Sequence, residues 1–215
     1  MGDNSHAEGT QTIVSGNGAH AEGCATEASG NMSHAEGYHT VAFGNASHAE
    51  GMAEEKALYL LGTAPTYTTQ IDDTTGENVI YSIMPGMALK FINAEGQNEY
   101  AIIESLDKTN FTLTLHQYYP VPRETNPTMY LTSVAYEGSH VEGNTNTALG
   151  GSHAEGYKTV ADGNTSHAEG EYTRASSAAS HAEGYSTEAN GYYGSHAEGY
   201  QSIANGAEGS HAEGN

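Results

Sequence analysis

One pentapeptide, Ser-His-Ala-Glu-Gly, returns nearly unchanged along most of this chain, and its spacing constrains the fold more than any other feature. The motif histidines fall 14 residues apart at His6, His20, His34 and His48, then 13 to 15 apart at His140, His153, His167, His181, His196 and His211. Each unit divides again. In SHAEGYHTVAFGNA, Ser33-x-Ala35-x-Gly37 is followed seven residues later by Thr40-x-Ala42-x-Gly44. Alternation with period two over about five residues is strand patterning, and the recurring glycines predict turns. Two short strands and two turns make one coil of a solenoid, hydrogen-bonded in parallel to the next coil about 4.8 Å away. Helix is excluded, because so many glycines would each cost about 1 kcal/mol relative to alanine.

The small residues mark the inside. Ser33, Ala35, Thr40 and Ala42 share one face of their strands, and a thin coil has room only for such side chains. The opposite face carries His34 and Glu36 on the first strand, and Val41 and Phe43 on the second. The second-strand positions vary from unit to unit: Ile13 and Ser15, Glu27 and Ser29, Val160 and Asp162, Arg174 and Ser176, Glu188 and Asn190. That is how a solvated surface behaves, and it predicts that Val41 and Phe43 face water.

The first-strand positions are His and Glu in every unit, so something constrains that face. An interior of Ala, Ser and Thr buries too little apolar area to offset chain entropy. A parallel homotrimer packed about a three-fold axis would place the constant face inside. The predicted trimer interface is therefore His6, Glu8, His20, Glu22, His34, Glu36, His48, Glu50, His140, Glu142, His153, Glu155, His167, Glu169, His181, Glu183, His196, Glu198, His211 and Glu213. Each carboxylate would accept a hydrogen bond from an imidazole, which would depress the Glu pKa and make the assembly acid-sensitive. A ladder of metal ions is the rival reading, since His and carboxylate suit zinc or nickel. A catalytic His/Glu dyad is needed once, not ten times. The expectation is a structural face with no metal, no cofactor and no catalytic residue.

Composition narrows the partners. The formal net charge of −21 argues against nucleic acid and anionic membrane surfaces, both of which need a basic footprint. A single cysteine, Cys24, forbids an intrachain disulfide and reads as an incidental thiol. No apolar run is long enough to insert in a membrane, and the first residues lack a signal-peptide pattern. Both ends fall inside a repeat unit, which predicts a piece of a longer protein.

The repeats resemble the heads of trimeric autotransporter adhesins, which are left-handed parallel β-rolls built on a Ser-Val-Ala-Ile-Gly strand. Ser33-His34-Ala35-Glu36-Gly37 matches that strand at Ser, Ala and Gly. His and Glu stand where that family has Val and Ile, which face the trimer centre. The SHAEG form is also similar to repeats in tail-fibre and tailspike-like proteins of phages and prophages. The resemblance covers residues 3–51 and 139–215. It implies an all-β, left-handed, homotrimeric β-roll serving host attachment in a virion tail fibre. A bacterial surface adhesin head is the alternative, and a metal-binding or hydrolytic tailspike segment a third.

Between His48 and His140 the rhythm breaks. All five prolines lie there (Pro65, Pro85, Pro120, Pro122, Pro127), as do most of the large apolar residues. The sequence therefore divides into β-roll repeats at 1–51, an inserted domain at 52–138, and further repeats at 139–215. Strands are predicted at 57–62, 78–83, 87–92, 98–105, 110–115 and 129–134, which suit a small antiparallel β-barrel. Leaving and rejoining the roll, such a module should project and present a binding surface. Tyr67, Tyr118, Tyr119 and Tyr130 are the candidates for contact with a host-cell surface glycan or protein, since tyrosine joins an apolar ring to a polar tip. Adjacent Asp72 and Asp73 read as a solvated turn rather than an acid pair. Tyr192 and Tyr193 should protrude from a lengthened turn.

Overall fold

The computed structural model describes residues 1–54, 56–70 and 78–214. It is all-β, with a single short 3₁₀ turn at Val79–Ser82 among the described residues. Two compact units are present: residues 1–54 with 132–215, and residues 55–131.

The first unit is a parallel β-solenoid. Its first strands form a ten-stranded sheet running from His6–Thr10 to His211–Glu213, and its second strands a nine-stranded sheet from Ile13–Val14 to Ile203–Ala204. Pairing is parallel and in register, so that His20, Ala21, Glu22 and Gly23 lie opposite His34, Ala35, Glu36 and Gly37. Identical residues stack on identical residues from coil to coil, and one coil's geometry therefore serves all. The interior is the row of small side chains: Ala21, Ala35, Ala49, Ala154 and Ala168 from the first strands, and Ala28, Ala42, Ala161 and Ala175 from the second, all fully buried. Buried serines find local acceptors, Ser33 Oγ donating to Gly30 O at 2.7 Å and Ser47 Oγ to Gly44 O at 2.6 Å. Thr40 Oγ1 donates to Glu36 O at 2.9 Å and ties the two strands of its coil together.

Gly37 and its equivalents are not at the turn itself; Gly37 lies within the strand His34–Tyr38, at φ +107°. A Cβ there would lie 2.0 Å from the carbonyl oxygen of Gly51 in the next coil, so close backbone approach requires glycine. Asparagine side chains bridge the opposite corner: Asn31 Oδ1 accepts from Asn17 N, and Asn45 Oδ1 from Asn31 N, both at 2.9 Å.

Two expectations about the roll need correction. Val41 and Val160 are buried rather than facing water, while Phe43 is exposed as expected. They belong to a register row with Glu27, Val134, Thr147 and Arg174, and the middle coils add Phe43, Tyr136 and Leu149 two residues further along. Apolar side chains on neighbouring coils cover one another there, and the Phe43 and Tyr136 rings meet edge to face at 5.3 Å. The row opens only toward its ends, where Ile13, Glu188 and Ile203 are exposed. The second correction concerns the boundary at 138/139. Ser133–Ala135 pairs in parallel with Thr40–Ala42 on one side and Thr147–Ala148 on the other. The insertion thus sits inside one coil: His48–Met52 is that coil's first strand and Ser133–Ala135 its second. Ser133-x-Ala135 repeats the half-unit pattern of Thr40-x-Ala42, and at the other seam Ala53 N still donates to Tyr38 O.

In the second unit six strands pair antiparallel around a closed circuit: Ala88–Ile92, Asn98–Asp107, Thr112–Leu115, Thr66–Thr69, Ala57–Thr63 and Thr128–Leu131, the last returning to the first. Alternate residues point inward, with Leu58, Leu60, Leu89, Phe91, Ile103, Leu113, Leu115 and Met129 in its core. Residues 78–83 are not a strand. Asn78 caps a 3₁₀ turn by accepting from Ile80 N at 3.0 Å, and its side chain is held by Thr69 at 2.6 Å. The strand Thr66–Thr69 takes the place in the circuit.

Candidate functional site

Parallel in-register pairing converts the repeated His and Glu into two continuous columns on one face. The imidazoles stack. Ring centroids are 4.8 Å apart for His20 and His34, 4.9 Å for His34 and His48, and 4.8 Å for His167 and His181, with planes within 6° of parallel. The column crosses the insertion without a break, His48 lying 4.7 Å from His140. The stack tilts at its ends, His6 standing at 62° to His20 and His211 at 21° to His196. The strand spacing sets this distance, which is also a favourable one for offset aromatic rings.

Glu lies two residues beyond each His on the same strand face. His34 Nε2 is 3.8 Å from Glu36 Oε2, with 3.8 Å for His48 and Glu50, 3.5 Å for His167 and Glu169, and 3.6 Å for His181 and Glu183. These separations exceed the 2.7–3.2 Å of an ordinary N–H···O bond. The expected hydrogen bond from imidazole to carboxylate is therefore not made within the chain at these coils. Eight imidazole Nε2 atoms, from His20, His34, His48, His140, His153, His167, His181 and His196, are shielded from solvent yet have no hydrogen-bond partner. The side chains as a whole stay half-exposed, at 37–38% for His20, His34, His48, His167 and His181.

The electrostatics follow from like beside like. Glu50 is pushed up to about 7, first by a hydrogen bond shared with Glu36 on the adjacent coil, then by burial and the charge of Glu142. Its partner Glu36 is held below the usual carboxylate range by that same bond, against burial and with help from His34. His48, His140 and His181 are all lowered, by burial first and then by the neighbouring imidazoles. The stack thus favours neutral rings, since adjacent imidazolium ions under 5 Å apart would repel. Of this adjacent pair, Glu36 keeps the depression expected from His–Glu pairing while Glu50 moves the opposite way.

Groups of three potential metal ligands recur along this face. The ligand atoms of His140, Glu142 and His153 lie within 4.8 Å of one another, as do those of His167, Glu169 and His181, and of Glu22, His34 and Glu36.

The tyrosines separate. Tyr67 is excluded as a contact residue: it is 1% exposed, pointing into the barrel with its hydroxyl toward Pro122 O. It occupies an inward position of Thr66–Thr69, a strand whose short Thr-rich sequence concealed it. Tyr118 is 92% exposed, while Tyr119 and Tyr130 are half-buried, the latter beneath Lys90 Nζ at 5.7 Å. Asp72 and Asp73 lie outside the described residues.

Two features escaped sequence reasoning. A cleft of about 350 Å³ in the second unit is lined by Phe91, Asn93, Ala94, Glu95, Glu99, Pro120, Val121, Arg123 and Glu124, brought together from two separate loops. In the roll, Lys158 is almost wholly buried, its Nζ 3.2 Å from Glu54 Oε2 and 4.9 Å above the Tyr157 ring. Tyr157 donates its hydroxyl to Glu54 Oε1 at 2.6 Å, and burial together with that carboxylate raises its phenol well above the usual value. Only the lone Lys in a corner position otherwise filled by uncharged residues hinted at this cluster.

Comparison with protein-family models, with curated proteins and with solved structures returned no match.

Proposed function

We propose that this chain is a segment of a homotrimeric fibre whose work is attachment, with three rolls packed through their His/Glu faces and the inserted β-unit offered as the binding module. The observation that carries the reading is the face itself. It is constant over ten coils, half-exposed on the single chain, and lined by imidazole nitrogens that are desolvated but unpartnered. Such atoms are costly unless something meets them. Packing against two further copies brings Glu columns from neighbouring chains within reach and supplies the burial that an Ala/Ser/Thr interior lacks. The insertion supports the attachment half of the proposal. It leaves and re-enters a single coil without interrupting the His stack, so a module is carried at no cost to the rod. Exposed Tyr118 and the cleft lined by Phe91, Pro120 and Arg123 are its accessible contact chemistry, suited to a host-surface glycan or protein.

Light scattering behind a sizing column tests the assembly. The expected mass is three times the 22.5 kDa of one chain, and a 22.5 kDa species across the accessible concentration range refutes the trimer. Binding of the full chain to host envelopes and cell-wall polymers tests attachment. Tyr118→Ala is expected to weaken it and Tyr59→Ala, an exposed ring elsewhere on the unit, to leave it unchanged.

A further inference from the structure

We propose that the His/Glu face is a linear binding site for divalent transition-metal ions, each ion held by a His and Glu of one coil and a His of the next, as in His140, Glu142 and His153. Three observations carry this, and none depends on other copies of the chain.

The first is the state of the nitrogens. Each of the eight shielded Nε2 atoms lacks a hydrogen-bond partner and has no access to bulk solvent. An imidazole nitrogen so placed is a ligand already stripped of water, and neutral imidazole is the metal-binding form.

The second is distance. Zinc bonds nitrogen at about 2.0–2.1 Å and carboxylate oxygen at about 2.0–2.2 Å, so two ligands on one ion lie roughly 3.3 Å apart at the tetrahedral angle and about 4.1 Å apart when opposed. The Nε2 to Oε2 separations of 3.5 Å at His167 and Glu169 and 3.6 Å at His181 and Glu183 are too long for a hydrogen bond and fall inside that window. The third ligand completes a set spanning at most 4.8 Å, and binding requires the two stacked imidazoles to tilt toward the shared ion.

The third is ligand type and charge. Two imidazoles and a carboxylate favour zinc, nickel or copper over calcium or magnesium, which take oxygen. The acidic chain, with its net charge of −21, draws cations to the face. Three ligands leave a coordination position open, so the ion can take a water or a further carboxylate. Because the groups at His140/Glu142/His153 and His167/Glu169/His181 share no residue, loading should exceed one ion per chain.

The test uses the full chain freed of metal by chelation and gel filtration. Zinc titrated calorimetrically is expected to bind with more than one ion per chain and to raise the melting temperature. Cobalt(II) is expected to give the intense visible bands of a four-coordinate site. The near-isosteric double variant Glu142→Gln/Glu169→Gln should lower the stoichiometry and weaken affinity at least tenfold, with circular dichroism unchanged. If that variant does not fold, X-ray absorption on the zinc-loaded wild type decides: a mixed imidazole and carboxylate shell supports the site, an oxygen-only shell overturns it. No zinc retained and no melting shift overturns it too, as does binding indifferent to the two Gln substitutions. Oligomeric mass measured on the same samples keeps the two proposals apart, since a zinc-binding monomer sinks only the trimer and a zinc-indifferent trimer sinks only the metal site.

Discussion

Replacing Gly37 by alanine and, separately, Gly151 by alanine isolates the force that fixes the repeat. Both glycines have positive φ, +107° at Gly37 and +72° at Gly151, so both substitutions incur backbone strain of about 1–2 kcal/mol. They differ in what the new methyl meets. At Gly151 nothing lies within 4 Å, whereas at Gly37 a Cβ would sit 2.0 Å from Gly51 O. A carbon–oxygen contact needs a little over 3 Å, so the coils must part by roughly an ångström at that point, loosening about two inter-coil hydrogen bonds worth about 1 kcal/mol each. The sum is about 3–4 kcal/mol for Gly37→Ala against about 1–2 kcal/mol for Gly151→Ala. Solenoids unfold in sections, so the loss is best read locally, by hydrogen exchange over residues 33–52 beside a urea melt of the whole chain. A gap between the variants below about 1 kcal/mol would refute the claim that backbone approach, rather than turn conformation, demands glycine in SHAEG.

The pH dependence should be set by histidine first. With His48, His140 and His181 lowered, the folded chain binds fewer protons than the unfolded one as pH falls through 6.5, and stability from these groups is lost from there downward. Glu50 acts oppositely, since a carboxyl raised to about 7 stabilises below its unfolded value of 4.5 and loses that contribution as pH climbs to 7. If the imidazoles set the sign, the urea midpoint falls between pH 7 and 5.5, and a midpoint that rises over that range would show that the raised Glu50 carboxyl sets it instead. At the Lys158 cluster, Glu54→Gln leaves a buried ammonium without its counter-charge and should cost about 2 kcal/mol, a value reduced from that of a fully buried pair because Glu54 is 30% exposed. Lys158→Met should be nearly neutral by the same denaturation assay, and equal losses from the two would show that the pair itself stabilises.

Repetition made the roll legible, because one residue pattern is tested ten times within the chain. Ser33, Ala35, Thr40 and Ala42 announce an interior, and the in-register pairing of His with His follows from the 14-residue spacing. What a repeat cannot announce is an interaction made once. Val41 is buried in register with Val134, and Phe43 meets Tyr136, yet Val134 and Tyr136 arrive only after the insertion has been crossed. The same holds for Glu54, which meets Tyr157 and Lys158 across 103 and 104 residues of sequence.

The His/Glu face shows the limit from the other side. Its position was legible, but its chemistry was not. Spacing places Glu on the same strand face as His, which invites a hydrogen bond between them, and side-chain reach then leaves the gap at 3.5–3.8 Å. The stacking distance is fixed by the backbone, and it puts each group closest to its own kind. A column of like groups is relieved when the rings stay neutral and the carboxyls share protons or a cation. That condition connects the raised Glu50, the lowered His140 and the unpartnered Nε2 atoms as consequences of one pairing register. It also explains why substitution at a single coil should be felt by the coils on both sides.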